Sequence, residues 1–281
     1  MTEADPAATR AFGVQVDFGR TADDYGRHRA GFPESFFAAL SRRGWITPGG
    51  TAVDLGTGTG TVARGLAKAG MQVLGLDPAA PLLETARALD REAGVRVTYR
   101  EGRAEAPGLE PASVDLVTAG QCWHWFDRRI AAAEAARALR PGGRIVLAHF
   151  DWLPLEGNVV QATEQLILAF NPSWTMAGGN GIYPRWLRDL AEAGFEQIET
   201  FSFDCAVPYS HEAWRGRIRA SAGVQASLTP ERVAAFDEAL AQMLRDRFPQ
   251  DRMLIPHRIW AVSALRPPGV DRNAERAGGT V

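Results

Sequence analysis

Short apolar runs alternate along this chain with stretches whose apolar positions recur every three to four residues. The runs 51–55, 71–76, 95–99, 114–119 and 144–149 read as strands. The stretches 34–43, 62–69, 81–93 and 128–139 read as helices between them. Asp127 is placed to cap the start of the last of these, and Pro141-Gly142-Gly143 to end it. Alternation of this kind, with short links, predicts an α/β fold with a parallel sheet and helices on both faces. After residue 150 the regularity breaks. A helix is expected over 157–170, followed by the Gly-rich loop "NPSWTMAGGNGIY". Helix 184–193 and strand 195–203 restore the pattern, 208–250 holds two more helices, and 257–265 is a last strand. We read 151–182 and 208–250 as insertions forming a lid over the carboxyl edge of the sheet. Residues 1–11 read as a disordered leader and 267–281 as a disordered tail, leaving 12–266 as one domain.

Composition narrows the function classes. Of 281 residues, 46% are hydrophobic and 23% charged, and the net charge is −2. Such a balance suits a globular core and offers no broad basic field for nucleic acid, whose binding rests on phosphate neutralisation. Lys68 is the sole lysine among the basic residues, the rest being arginine, so single arginines carry little weight. Two cysteines, Cys122 and Cys205, support neither a disulfide framework nor a zinc site. No polar-flanked signal segment and no membrane-length apolar run is visible. The expectation is a cytoplasmic protein, with no membrane or nucleic-acid partner and no metal, as monomer or homodimer.

The strongest chemical signal is "VDLGTGTG", which sets Gly56, Gly58 and Gly60 between a strand and a helix. Glycines there let the backbone turn tightly and approach a ligand at the helix N-terminus. A dinucleotide turn would need a further glycine at 61, where Thr61 stands. The spacing is G-x-G-x-G instead, with Asp54 two residues ahead. The second strand ends at Asp77, an acid suited to paired ribose hydroxyls. Ala104-Glu105 follows the next strand, where backbone amides can read an adenine edge.

Four stretches now stand in order: "VDLGTGTG", "GLDPAAPLLETAR", "EGRAEAPGLEPASVDLV" and "ALRPGGRIVL". Together they resemble the class I S-adenosylmethionine-dependent methyltransferases. The stretch from Phe18 to Arg29 and "HWFD" at 124–127 resemble the small-molecule branch of methyltransferase type 11 and trans-aconitate methyltransferase-like enzymes. The usual R-P-x-Y-P of that branch is here Arg29-Ala30-Gly31-Phe32-Pro33. The resemblance implies a Rossmann-like, doubly wound, seven-stranded and mostly parallel sheet, with S-adenosyl-L-methionine as cofactor. It implies that Gly56 and Gly58 lie against the methionine part, with Asp54 and Thr57 beside them. Asp77 and Pro78 would meet the ribose, Ala104 and Glu105 the adenine, and Gln121 the methionine end. Tyr25 and Arg29 would close over the cofactor.

Such an enzyme transfers a methyl group to an O, N or C nucleophile of a small acceptor, a carboxylate or natural-product intermediate among the options. A protein that binds the cofactor without methyl transfer, cyclase-like or regulatory, is the alternative. Nucleic-acid methylation is opposed by the charge balance and by the lack of an Asn-Pro-Pro-Tyr type stretch after Val117.

The stretch "AGQCWHWFD" ends the fourth predicted strand, on the edge where open sheets of this kind bind ligands. His124 is the candidate general base, since an imidazole titrates near neutrality. Trp123 is expected to line the acceptor pocket, and Trp125 and Phe126 to pack in the core. His149, Trp152, Trp174 and Tyr183 are further pocket candidates. Arg215 and Arg219 share a helix face, and Arg219 is the candidate for binding an acceptor anion. His257 reads as structural.

Overall fold

The structure is a computed structural model that describes residues 31–268. The leader, most of the tail, and Tyr25 and Arg29 lie outside the described residues. Helix α1 (Glu34–Arg42) precedes strand β1 (Thr51–Leu55), and α2 (Thr61–Lys68) leads to β2 (Gln72–Asp77). Then come α3 (Ala80–Ala93), β3 (Thr98–Glu101), β4 (Val114–Gly120), α4 (Arg128–Ala138) and β5 (Leu139–Trp152). The remainder is α5 (Val159–Phe170), α6 (Arg185–Glu192), β6 (Glu196–Tyr209), α7 (His211–Arg219), α8 (Pro230–Arg247) and β7 (Met253–Leu265).

The seven strands form one sheet in the order β3-β2-β1-β4-β5-β7-β6. β1 to β5 run parallel, while β7 is antiparallel to both β5 and β6. The sequence order reverses between β1 and β4, which opens a crevice at their carboxyl ends, the usual ligand position in such sheets.

Strand residues alternate between two buried faces, as expected for a sheet covered on both sides. On β5, Val146, Ala148 and Phe150 join the cluster under α1 and α2, with Phe36, Leu40 and Leu66. Ile145 and Leu147 join the opposite cluster with Ala131, Ala135, Trp186 and Leu190. Phe32 packs its ring on Phe36 and Phe150, so an apolar ring at this position serves the core.

Local chemistry fixes the helix ends. Asp127 caps α4 by accepting the Ile130 N–H, Asn158 caps α5 through Gln161, and Ser210 caps α7 through Ala213. Gly94, at φ +66°, closes α3 in the left-handed conformation.

Several predicted boundaries move. β3 starts at Thr98 and not at 95, because pairing to β2 begins at Leu74↔Thr98. β6 continues past residue 203 to Tyr209, and β7 begins at Met253, the two staying paired throughout. Asp204 and Pro208 disguise this extension, yet β6 is the edge strand, where proline is tolerated. The second predicted insertion therefore starts inside a strand. Helices α5, α7 and α8 pack on one another and on the far ends of β6 and β7, around Val160, Ile167, Trp214, Phe236, Leu240 and Ile255.

Candidate functional site at the carboxyl edge

The glycine turn after β1 has three residues at positive φ: Gly56 at +61°, Gly58 at +54° and Gly60 at +77°. Other residues reach this region only with strain. A Cβ on Gly56 would meet Cys122 Sγ at 2.9 Å and Phe126 Cζ at 3.0 Å, and one on Gly60 would meet the Tyr99 hydroxyl at 2.2 Å. Among the described residues, a Cβ on Gly58 would meet nothing within 4 Å. The turn is thus packed from two sides and open at its middle glycine.

Asp54 supports the turn from beneath. Its carboxylate, 1% exposed, accepts the hydroxyls of Thr57 at 2.6 Å and Thr118 at 2.7 Å. Burial pushes its pKa up to about 6, against the lowering effect of those hydrogen bonds. Asp54 and Thr57 are therefore joined to each other, with Thr57 also 7% exposed. Asp77 is 7% exposed and braces the turn from the side, accepting the N–H groups of Gly58 and Ala79, each at 2.9 Å. Burial raises its pKa against those two bonds. Each Asp77 oxygen keeps a lone pair beyond these contacts, so the carboxylate can still accept a hydroxyl proton. Pro78, exposed, follows it.

Across the crevice, Ala104 is buried and Glu105 half-buried, and a Glu105 oxygen accepts the Asp127 N–H at 2.9 Å. That bond ties the loop after β3 to the start of α4. Gln121, at the tip of β4, has φ +61°. A glutamine at positive φ is uncommon, and such strain collects at ligand sites. The open face of Gly58, the spare lone pairs of Asp77 and the adjacent Glu105 loop fit the adenosyl cofactor that the resemblance implies.

"CWHWFD" divides differently from its expected reading. Trp123 is 0% exposed, packs in the second core cluster and donates its indole N–H to Asp189 at 3.1 Å, which ties it to the core. Trp125 and Phe126 are only partly buried against that same cluster. The short 3₁₀ turn Trp123–Trp125 reverses the alternation expected of an extended strand end.

His124 is half-buried, with its ring 5.4 Å from that of His149 at the end of β5. His149 is 4% exposed, and its Nδ1 lies 2.7 Å from Asp151 Oδ1. The Tyr183 hydroxyl donates to the other Asp151 oxygen and lies 3.2 Å from His149 Nδ1. Burial alone would lift the Asp151 pKa, but the His149 imidazole and Tyr183 hydroxyl outweigh it and hold the carboxyl below its ordinary range. Tyr183 is in turn stacked on Trp186, with ring centroids 4.5 Å apart.

Trp152 packs against the α5–α7–α8 cluster, donating its indole N–H to the buried Glu164 of α5 at 2.8 Å, and the Arg217 guanidinium lies 4.6 Å from its ring centre. Two further pocket candidates sit elsewhere. Trp174 is buried within the α5–α7–α8 cluster, where a Cβ on Gly223 would touch its ring at 3.1 Å. Arg219 and Arg215 both bind Asp237 of α8, Arg219 at 2.7 Å, which fastens α7 to α8. Both guanidiniums are thus paired within the helical layer.

Asp151, Glu164 and Arg217 escaped the sequence reading. For Asp151 a signal existed: His149-Phe150-Asp151 places acid and imidazole on the same side of a strand. His257, 2% exposed, lies against Phe150, its Nδ1 2.9 Å from the Ile255 carbonyl, and burial pushes its pKa down to about 4.

Comparison with known proteins agrees with this geometry. Residues 53–147 match the family model described as a methyltransferase domain. An uncharacterized methyltransferase of Mycobacterium tuberculosis is 35% identical over 136 residues, 48% of this chain and 52% of the relative. The chain thus spans about half the length of that mycobacterial relative. A ubiquinone biosynthesis O-methyltransferase of Xanthomonas euvesicatoria is 31% identical over 179 residues, 62% of this chain and 71% of the relative. In fold, the chain is similar to phosphoethanolamine N-methyltransferase 2 of Haemonchus contortus in complex with S-adenosyl-L-methionine. That likeness has a TM-score of 0.55 at 19% identity and covers 95% of this chain and 60% of that one. With the glycine turn, the strand order and these relatives together, the chain belongs to the class I S-adenosylmethionine-dependent methyltransferase family.

Proposed function

We propose that this protein transfers the methyl group of S-adenosyl-L-methionine to a nucleophile on a small-molecule acceptor. The observation that carries the reading is the open face of Gly58 beside Asp77, on the same strand-end crevice as the histidine pair His124 and His149. When bound, the cofactor supplies a methyl on a sulfonium, already an excellent leaving group. The chain's own task is then to hold, orient and desolvate, which relieves it of a large acid–base machine.

Gly56 and Gly58 let the backbone approach the ligand, Asp77 accepts from ribose hydroxyls, and the Ala104–Glu105 loop flanks the base. Gln121 borders the methionine end. On the acceptor side, His124, His149, Tyr183 and Trp152 supply a polar, aromatic wall. One of the two imidazoles removes a proton from an O–H or N–H acceptor. The name of the Xanthomonas relative specifies an O-methyltransferase, which favours oxygen as the accepting atom here.

Calorimetry with S-adenosylmethionine, its demethylated product and NAD tests the cofactor, with binding expected for the first two alone. Incubating the protein and S-adenosylmethionine with a metabolite pool should yield a product heavier by one CH₂. Tight cofactor binding with no such product in any pool would favour a protein that binds without transferring methyl.

A further inference from the structure

We infer that His149 takes the proton of the acceptor, oriented by Asp151 and braced by Tyr183. The inference rests on the methyl-transfer reading above and assigns the base within it. Asp151 Oδ1 lies 2.7 Å from His149 Nδ1, and Tyr183 donates to the second Asp151 oxygen. A carboxylate so placed holds the imidazole proton on Nδ1, which leaves Nε2 with its lone pair. Among the described residues, that Nε2 is buried and has no hydrogen-bond partner. A buried acceptor atom left unmet is unfavourable, so a donor is expected there. An O–H or N–H of the acceptor is such a donor, and the crevice at the carboxyl edge is where an acceptor must sit to meet the methyl group. A nucleophile, a base in reach of it and a third group orienting the base is the general pattern of an activated nucleophile.

The step balances as follows. A lone pair on the acceptor's oxygen or nitrogen forms the new bond to the methyl carbon, while the carbon–sulfur bond breaks and leaves its pair on sulfur. The O–H or N–H proton passes to His149 Nε2. The resulting imidazolium faces the Asp151 carboxylate, and its proton returns to water before the next turnover. His124 faces His149 from the loop after β4, and Asp151 and Tyr183 from β5 and the segment before α6. Asp151 is in turn felt by Glu164 of α5 and His257 of β7.

Imidazole ¹⁵N spectra of the whole protein test the orientation without any acceptor, with His149→Gln assigning the signal. The expected result is a neutral His149 with its proton on Nδ1, and a shift of that proton toward Nε2 in Asp151→Asn. A proton on Nε2 in the wild type, or no change in Asp151→Asn, overturns the inference. The second arm uses the acceptor recovered by the CH₂ mass gain. His149→Gln should lower kcat by about 10²-fold or more and abolish the rise of rate with pH, with unchanged affinity for S-adenosylhomocysteine. Tyr183→Phe, which keeps the ring, should produce a smaller loss of kcat. Wild-type kcat in His149→Gln would return the imidazole to a structural role, with buried water as its partner. Failure of the wild type to bind S-adenosylhomocysteine would sink the methyl-transfer reading and leave the tautomer result standing.

Discussion

Asp77 accepts the backbone N–H of Gly58 at 2.9 Å, so the acid ending β2 holds the middle of the turn that follows β1. The same carboxylate is thereby a brace, and in the proposed function a ligand group as well, so its substitution reports on both.

Gly58→Ala separates them. Its Cβ has open space around it, so the fold loses only the strain of a left-handed alanine, about 1–2 kcal/mol. The methyl would occupy the face assigned to the cofactor, and S-adenosylmethionine affinity should fall by much more than that. Asp77→Asn should weaken the same affinity by roughly 1–3 kcal/mol. Calorimetry beside thermal unfolding decides, and a Gly58→Ala protein with normal affinity would displace the cofactor from this turn.

Trp123→Ala should act on stability alone. Removing a fully buried indole costs about 3–5 kcal/mol, and here Asp189 also loses a donor. Chemical unfolding of Trp123→Phe, the milder variant, should show a smaller loss with unchanged acceptor KM. A raised KM in a stably folded Trp123→Phe would restore the indole to the pocket.

Asp54 makes the fold sensitive to pH in an unusual direction. Its pKa of about 6 exceeds the ordinary 3.8, so between these values the folded state holds a proton that the unfolded chain has released. Stability from this group is therefore lost as pH rises from about 4 to 6, on the order of 3 kcal/mol. Asp54→Asn lacks the group. Urea midpoints measured across this range should converge or diverge between the two proteins by that trend, and parallel curves would contradict the buried acid.

His257 acts oppositely. Its pKa of about 4 lies below the ordinary 6.5, so the unfolded chain binds the proton first as pH falls. Stability is lost from about pH 6.5 down to 4, again on the order of 3 kcal/mol. His257→Asn should flatten that limb. Because the two groups oppose each other between pH 4 and 6, the wild type should show little net slope from this pair, and each single variant should unmask the other.

The parallel half of the fold was legible because its central strands β1 and β4 are apolar on both faces and α4 carries its own cap: Asp127 was read as a cap and is one. The glycine turn was legible because only glycine suits three left-handed positions in five residues. What escaped the reading was tertiary. Nothing near Trp123 in sequence announces Asp189, 66 residues on, and the pairing of Arg219 with Asp237 of the next helix depends on how α7 packs on α8. The length of β6 was hidden by Asp204 and Pro208, residue types uncommon inside strands, until the pairing with β7 is known.

The antiparallel β6–β7 pair keeps one register from Glu199↔Ser263 to Tyr209↔Met253, with a shift only between Glu196 and Glu199. Ile259 and Ala261 belong to the first core cluster, Met253 and Ile255 to the helical one, and Val207 packs against both. The helical layer consequently stands on the same two rails as the catalytic half and shares its cooperativity. Loosening it means fraying the strand pairs that also carry the first core cluster, so the helical layer is mechanically registered to the strand ends.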